Sequence, residues 1–213
     1  PSENLELFLA QSLEPPSAVL AEVLSSSQSA NVLEACAAHP RLPAEAMAIL
    51  VDHSSEKLRR NLAANRQLSP ASAEKLLEDS SALVRTNLVD NPIVPERLLG
   101  RLIVDESVLV RQKFLEKKEL SEDFIRLLES DESLALSLQT VYKAKVGEEK
   151  LIEWADIADE AKQLALLQRR RLDFNSLDSL VFSSSDEVRL QTLMKKDLEE
   201  DEILSWALQG DEK

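Results

Sequence analysis

The stretch EDSSALVRTNLVDNPIVP at residues 78–95 returns 26 residues later as VDESVLVRQKFLEKKELS, and VDHSSEKLRRNLAANRQL precedes it at the same interval. A fixed internal period of this length restricts a chain to repeat architectures, in which each unit is one supersecondary element stacked on its neighbours. Rows of 26 beginning at residues 13, 39, 65, 91, 117, 143, 169 and 195 test the register. The twelfth position reads Leu24, Leu50, Leu76, Leu102, Leu128, Trp154, Leu180 and Trp206. The fourth, from the second row on, reads Leu42, Leu68, Val94, Leu120, Val146, Leu172 and Leu198.

Apolar residues at positions four, nine, twelve and thirteen of a row (Val94, Leu99, Leu102, Ile103) share one stripe of a first helix. Val110, Phe114 and Leu115 do the same for a second, shorter helix, so each row is predicted to be a helical hairpin. Position seventeen holds Ser29, Ser55, Ser81, Ser107, Ser133, Asp159 and Ser185, side chains suited to cap the second helix. Pro43, Ser69-Pro70, Pro95, Ser121 and Asp173 punctuate the start of the first. Helices under ~12–15 residues are marginal alone, so stability must come from stacking. The expectation is an all-α chain, a single helical-repeat domain over residues 1–213. Residues 1–12 form its N-terminal cap and the acidic EEDEILSWALQGDEK its other end. The sixth row departs from the pattern. Lys162 and Gln163 stand where other rows have an apolar residue and usually arginine, and the run from Glu148 to Arg169 lacks Pro and Gly, which predicts longer, differently packed helices there.

Composition agrees with helices. With 44% hydrophobic residues the chain can bury a core, while three glycines and 4% aromatics argue against sandwiches, barrels and glycine-rich nucleotide loops. The formal charge of −14 opposes binding to phosphate backbones or anionic lipid. One cysteine, Cys36, excludes an internal disulfide, and no leader or long apolar run is present, which points to a soluble cytoplasmic protein.

The phrases NPIVPERLLGRLIVDESVLVRQKFL and HPRLPAEAMAILVDHSSEKLRRNLAAN resemble the leucine-rich repeat variant family, with its Asn-Pro, apolar, Pro, leucine-rich helix, then acidic-x-Ser and Val-Arg. The match is clear over residues 39–116 and by register only over 13–38 and 117–213. The resemblance implies a right-handed superhelix, an α-solenoid of about seven to eight hairpin units, in which the second helix is α or 3-10. The iron–sulfur centre of some members is not carried over, because Cys36 stands alone. A looser similarity links Asp79/Arg85 and Asp105/Arg111 to the aspartate–arginine ladder of HEAT repeats, implying a binding scaffold or, in a small class, a DNA-repair glycosylase.

Candidate chemistry is sparse. Cys36, His39 and His53 invite a metal reading, but Cys36 occupies the core position of Leu62, Leu88 and Phe114, so packing is favoured. Trp154 and Trp206 replace leucine in a core position, which favours packing over base stacking. In the column of Arg59, Arg85, Arg111 and Arg189, Arg85 and Arg111 have an aspartate six positions earlier as a local partner, which favours structural pairing over phosphate contact. Basic residues crowd the start of each row, densest at Arg169, Arg170 and Arg171, and acidic residues crowd its middle. Both complement helix dipoles, and the basic edge also suits an acidic segment of a partner. Asn61, Asn87, Lys113, Gln139 and Gln191 recur on the second helix off the buried stripe, where a row of amides can pair with an extended backbone. The expected function is a non-enzymatic scaffold that binds a protein or extended peptide along this row, with no catalytic residue, no cofactor, no metal, no membrane and no nucleic acid. A HEAT-like nucleic-acid-binding protein of the repair-glycosylase type is the alternative.

Overall fold

The structure, a computed structural model, describes residues 17–117, 119–157 and 159–196. The expected N-terminal cap, Lys118, Leu198, Trp206 and the acidic C-terminal stretch lie outside the described residues. Among those described the protein is all-α, with fourteen α-helices and no strand. The chain divides into two compact units, residues 1–117 and 118–213.

The N-terminal unit contains α1 (Ser17–Ser26), α2 (Ala30–Ala37), α3 (Ala44–Val51), α4 (Glu56–Ala64), α5 (Pro70–Leu76), α6 (Ala82–Asp90), α7 (Glu96–Leu102) and α8 (Val108–Lys113), closed by a 3-10 turn at Phe114–Glu116. The second helices pack in series, α2 on α4, α4 on α6 and α6 on α8, and α1, α3 and α5 each pack on their hairpin partner. The predicted stripes are the core: Leu50, Leu76 and Leu102 on the first helices and Cys36, Leu62, Leu88 and Phe114 on the second are buried. Each such leucine contributes roughly 1.5–3 kcal/mol by leaving water.

The C-terminal unit contains α9 (Glu122–Glu129), α10 (Leu134–Lys143), α11 (Glu148–Asp156), α12 (Glu160–Leu167), α13 (Phe174–Val181) and α14 (Asp186–Lys196), with Ile125, Val141, Trp154, Leu166, Leu180 and Val188 in its core. Trp154 fits because its Nε1–H donates to Glu129 of the preceding row, so the indole is buried without an orphaned donor. The sixth row corrects the sequence expectation. Its helices are no longer than the others, because Ile157 is extended and Asp159 caps α12 by accepting from the Lys162 N–H at 3.1 Å. Second helices are α throughout, and 3-10 geometry occurs only in the turn after α8 among the described residues.

Capping differs in part from expectation. Ser81 and Ser133 accept from helix amides, whereas Ser29, Ser55 and Ser107 do not. The side chain two residues earlier holds the turn instead. Asp79, Asp105 and Asp131 accept the N–H of Ser81, Ser107 and Ser133 at 2.9, 2.8 and 2.8 Å, and Ser27, His53 Nδ1 and Ser183 do the same in their rows. These are Asx-type turns repeated in register.

Two side-chain ladders tie row to row. In the first, Asn65 Nδ2 donates to the carbonyls of Ala37 and His39, both at 3.0 Å, and Asn91 Nδ2 donates to those of Ala63 and Asn65, both at 2.8 Å. Each amide also accepts the N–H two residues on. Each therefore closes the last turn of the preceding second helix while shaping its own loop. Cations take the same position elsewhere: Lys117 Nζ reaches the Val89 carbonyl, and Lys195 Nζ reaches those of Leu167 and Arg169.

In the second ladder the arginines pair differently from the sequence reading. The residue six positions earlier supplies its backbone carbonyl, as His53 does to Arg59, Asp79 to Arg85 and Asp105 to Arg111. The carboxylate comes from the next row: Arg59 Nε and Nη2 meet Asp79 at 2.6 and 3.1 Å, and Arg85 meets Asp105 at 2.7 and 2.8 Å. Gln163 makes a neutral copy, donating to Ala155 O and accepting from Ser183 Oγ of the next row. Its departure from arginine thus preserves the ladder without charge.

Burial pushes the Asp79 carboxyl up, but the Arg59 bonds and the Ser81 N–H outweigh it and hold it below the usual range. A folded value below the unfolded one adds stability above about pH 4 that is lost as pH falls through the folded value. Asp79→Asn is therefore expected to be destabilising at neutral pH and to flatten the acid limb of stability. Urea titrations at neutral pH and at about pH 3 check this, and an unchanged slope would refute it.

Candidate partner-binding surface

Asn61, Asn87 and Lys113 lie at equivalent positions of α4, α6 and α8, three helices packed in series, so the N-terminal unit brings them into one row. Gln139 on α10 and Gln191 on α14 flank α12, which offers Ala165 at the equivalent place in the C-terminal unit. All five are half-buried, and several are already bonded. Asn87 Nδ2 donates to the Arg60 carbonyl of the preceding row at 3.0 Å. Lys113 pairs with Asp90 at 2.8 Å and with Glu116, and these two bonds hold its ammonium above its ordinary pKa. Gln191 donates to Glu187 at 2.5 Å. A shallow cleft of about 210 Å3 beside Asn87 is lined by Arg66, Asp90, Asn91 and Pro92.

Arg169, Arg170 and Arg171 follow α12. Arg169 is a member of the first ladder: its guanidinium donates to the carbonyls of Val141 at 2.6 Å and Ala144 at 2.8 Å, and burial pushes its pKa down. Arg170 and Arg171 are exposed. The basic edge is thus two populations in sequence neighbours, one cation that closes the end of α10 and two that face solvent. Nothing in composition distinguishes them. The repeat phase does, since only Arg169 shares the position of Asn65 and Asn91.

The cleft lined by Asp79, Asp105, Glu78 and Glu106, about 370 Å3, concentrates carboxylates, but each is tied to a base: Asp79 to Arg59, Asp105 and Glu106 to Arg85, Glu78 to Arg101. That arrangement cross-links rows rather than poising a proton. Cys36 is fully buried, and the Nδ1 atoms of His39 and His53 accept backbone N–H groups of Arg41 and Ser55 at 3.1 and 3.0 Å. No three metal-ligating side chains converge among the described residues. No helix among them is long and apolar enough to cross a membrane. No family model, curated protein or solved structure matches the chain.

Proposed function

We propose that the protein is a non-enzymatic interaction scaffold, related to leucine-rich repeat variant and HEAT-like proteins, whose helical hairpins continue as a right-handed α-solenoid within each unit. Its partner is a protein or extended peptide, held along Asn61, Asn87 and Lys113 in the N-terminal unit and along Gln139 and Gln191 in the C-terminal unit. A cytoplasmic setting fits its single, buried thiol. The observation that carries this reading is the pair of ladders. They join hairpins through recurring positions in several rows, so equivalent side chains recur at constant offset along packed helices. Such a periodic polar row matches the periodicity of an extended backbone. Half-burial of the row does not oppose the reading, because amides keep spare donors and acceptors after one bond.

The test compares the immobilised chain with a variant carrying alanine at all five positions, each exposed to a native lysate. The variant is expected to stay helical. It should melt a few degrees lower, because Asn87 and Lys113 lose contacts contributing about 1 kcal/mol each. A protein retained by the original chain and lost from the folded variant supports the row; equal capture overturns it. A gel shift on duplex DNA at low salt supplies the second arm: saturable, salt-sensitive binding abolished by Arg170→Ala with Arg171→Ala would replace the scaffold reading with the nucleic-acid alternative.

A further inference from the structure

Position four is core in the N-terminal unit, where Leu42, Leu68 and Val94 are 4%, 4% and 6% exposed. In the C-terminal unit Leu120 and Val146 occupy that position and are only half-buried. They line a cleft of about 740 Å3 between α9 and α11, with Ile125 beneath them. The repeat therefore supplies core side chains here that its own helices leave partly uncovered. Of the charges on the rim, Arg126 pairs with Asp123 at 3.8 Å, and Lys150 pairs with Glu129 at 2.8 Å and Glu153 at 2.7 Å. Among the described residues this leaves the carboxylates of Glu122, Glu148 and Glu149 against the single ammonium of Lys145. Those glutamates complement the first turns of α9 and α11, but all three are exposed, and a salt-bridge partner for them is left to be supplied from outside.

We propose that this cleft is a docking groove for a cationic amphipathic segment of a partner protein, whose apolar face covers Leu120 and Val146 and whose lysines or arginines meet Glu122, Glu148 and Glu149. An apolar floor with an acidic rim selects that chemistry over an acidic or uniformly polar segment, because like charges at the rim repel and a polar face leaves the floor wet. The inference rests on the scaffold reading but uses none of the residues of the amide row.

Gly147 offers a clean way to close the groove. It lies on the lining, its φ of −74° is ordinary, and a Cβ added there meets no atom within 4 Å. The probe is a fluorescein-labelled peptide of leucine and lysine, about 14 residues long, spaced so that the leucines share one helical face. It is titrated against the full chain at physiological salt, where screening beyond ~8 Å suppresses general attraction to an acidic protein. The expected result is saturable one-to-one binding, weakened about tenfold or more (~1.4 kcal/mol) by Gly147→Phe and by Val146→Asp. The second variant adds negative charge, so simple charge attraction predicts tighter binding and the groove predicts weaker. Circular dichroism confirms that each variant is folded. If Val146→Asp is not, Gly147→Phe decides. Equal affinity for a scrambled peptide of the same composition, preference for a leucine–glutamate peptide, or indifference to Gly147→Phe each overturns the proposal. The alanine variant of the amide row is expected to bind the probe unchanged, so failure at one site is read separately from failure at the other.

Discussion

Arg85→Ala is expected to destabilise the N-terminal unit by about 3–5 kcal/mol, the loss that follows when one member of a buried ion pair is removed. Arg85 and Asp105 side chains are each 7% exposed, and the Asp105 bonds hold the guanidinium above its ordinary pKa although burial opposes them. The substitution leaves Asp105 in the interior without its guanidinium partner, although the Ser107 N–H still donates to it, and it removes the bond to the Asp79 carbonyl. It therefore breaks a bond within its own row and the bridge to the next row at once. The pair Arg97–Glu74 provides the control. It joins neighbouring rows at 2.9 Å but is 63% and 50% exposed, and Arg97→Ala is expected to cost less than about 1 kcal/mol. Urea denaturation followed by far-ultraviolet circular dichroism checks both. Equal losses would mean that the ladder is no stronger than a surface ion pair.

That contrast shows what the sequence could reveal and what it could not. Hairpin periodicity was legible because burial is written in residue type: leucine at the twelfth position and a small or apolar residue at the twenty-fourth mark faces that must leave water. The arginine ladder was legible as a spacing but not as a direction. Aspartate and arginine six residues apart look like a local pair. Yet the helix start claims that aspartate for the amide of the following serine and for the arginine of the preceding row, a preference visible only once rows are stacked. The sixth row shows the converse. Gln163 reads as a break in the pattern, but a side-chain amide both donates and accepts, so it replaces an arginine–aspartate rung when the next row offers Ser183. The amide row on the second helices was legible as a register, and its half-burial was not. Side-chain engagement such as that of Lys113 with Asp90 depends on contacts between rows, which no single row encodes.

Arg169→Ala is expected to lower the stability of the C-terminal unit by about 2–4 kcal/mol, while Arg170→Ala and Arg171→Ala each stay within about 0.5 kcal/mol of the original. The difference follows from repeat phase alone. Arg169 faces three carbonyls at the end of α10, those of Val141, Tyr142 and Ala144, and carries no carboxylate partner among them. Its charge is stabilised by the negative end of the helix, and its removal leaves backbone acceptors without donors. Because Lys195 serves the same position through two carbonyls, Arg169→Lys is expected to restore part of the loss, keeping the charge but losing the fork that spans both sides of the turn. Thermal melts of the four variants decide the matter. Equal sensitivity at Arg169, Arg170 and Arg171 would refute the assignment of Arg169 to the ladder. The expected pattern separates a cation that holds the array together from two that face solvent, leaving Arg170 and Arg171 as the pair whose substitution reports on an acidic partner without disturbing the fold.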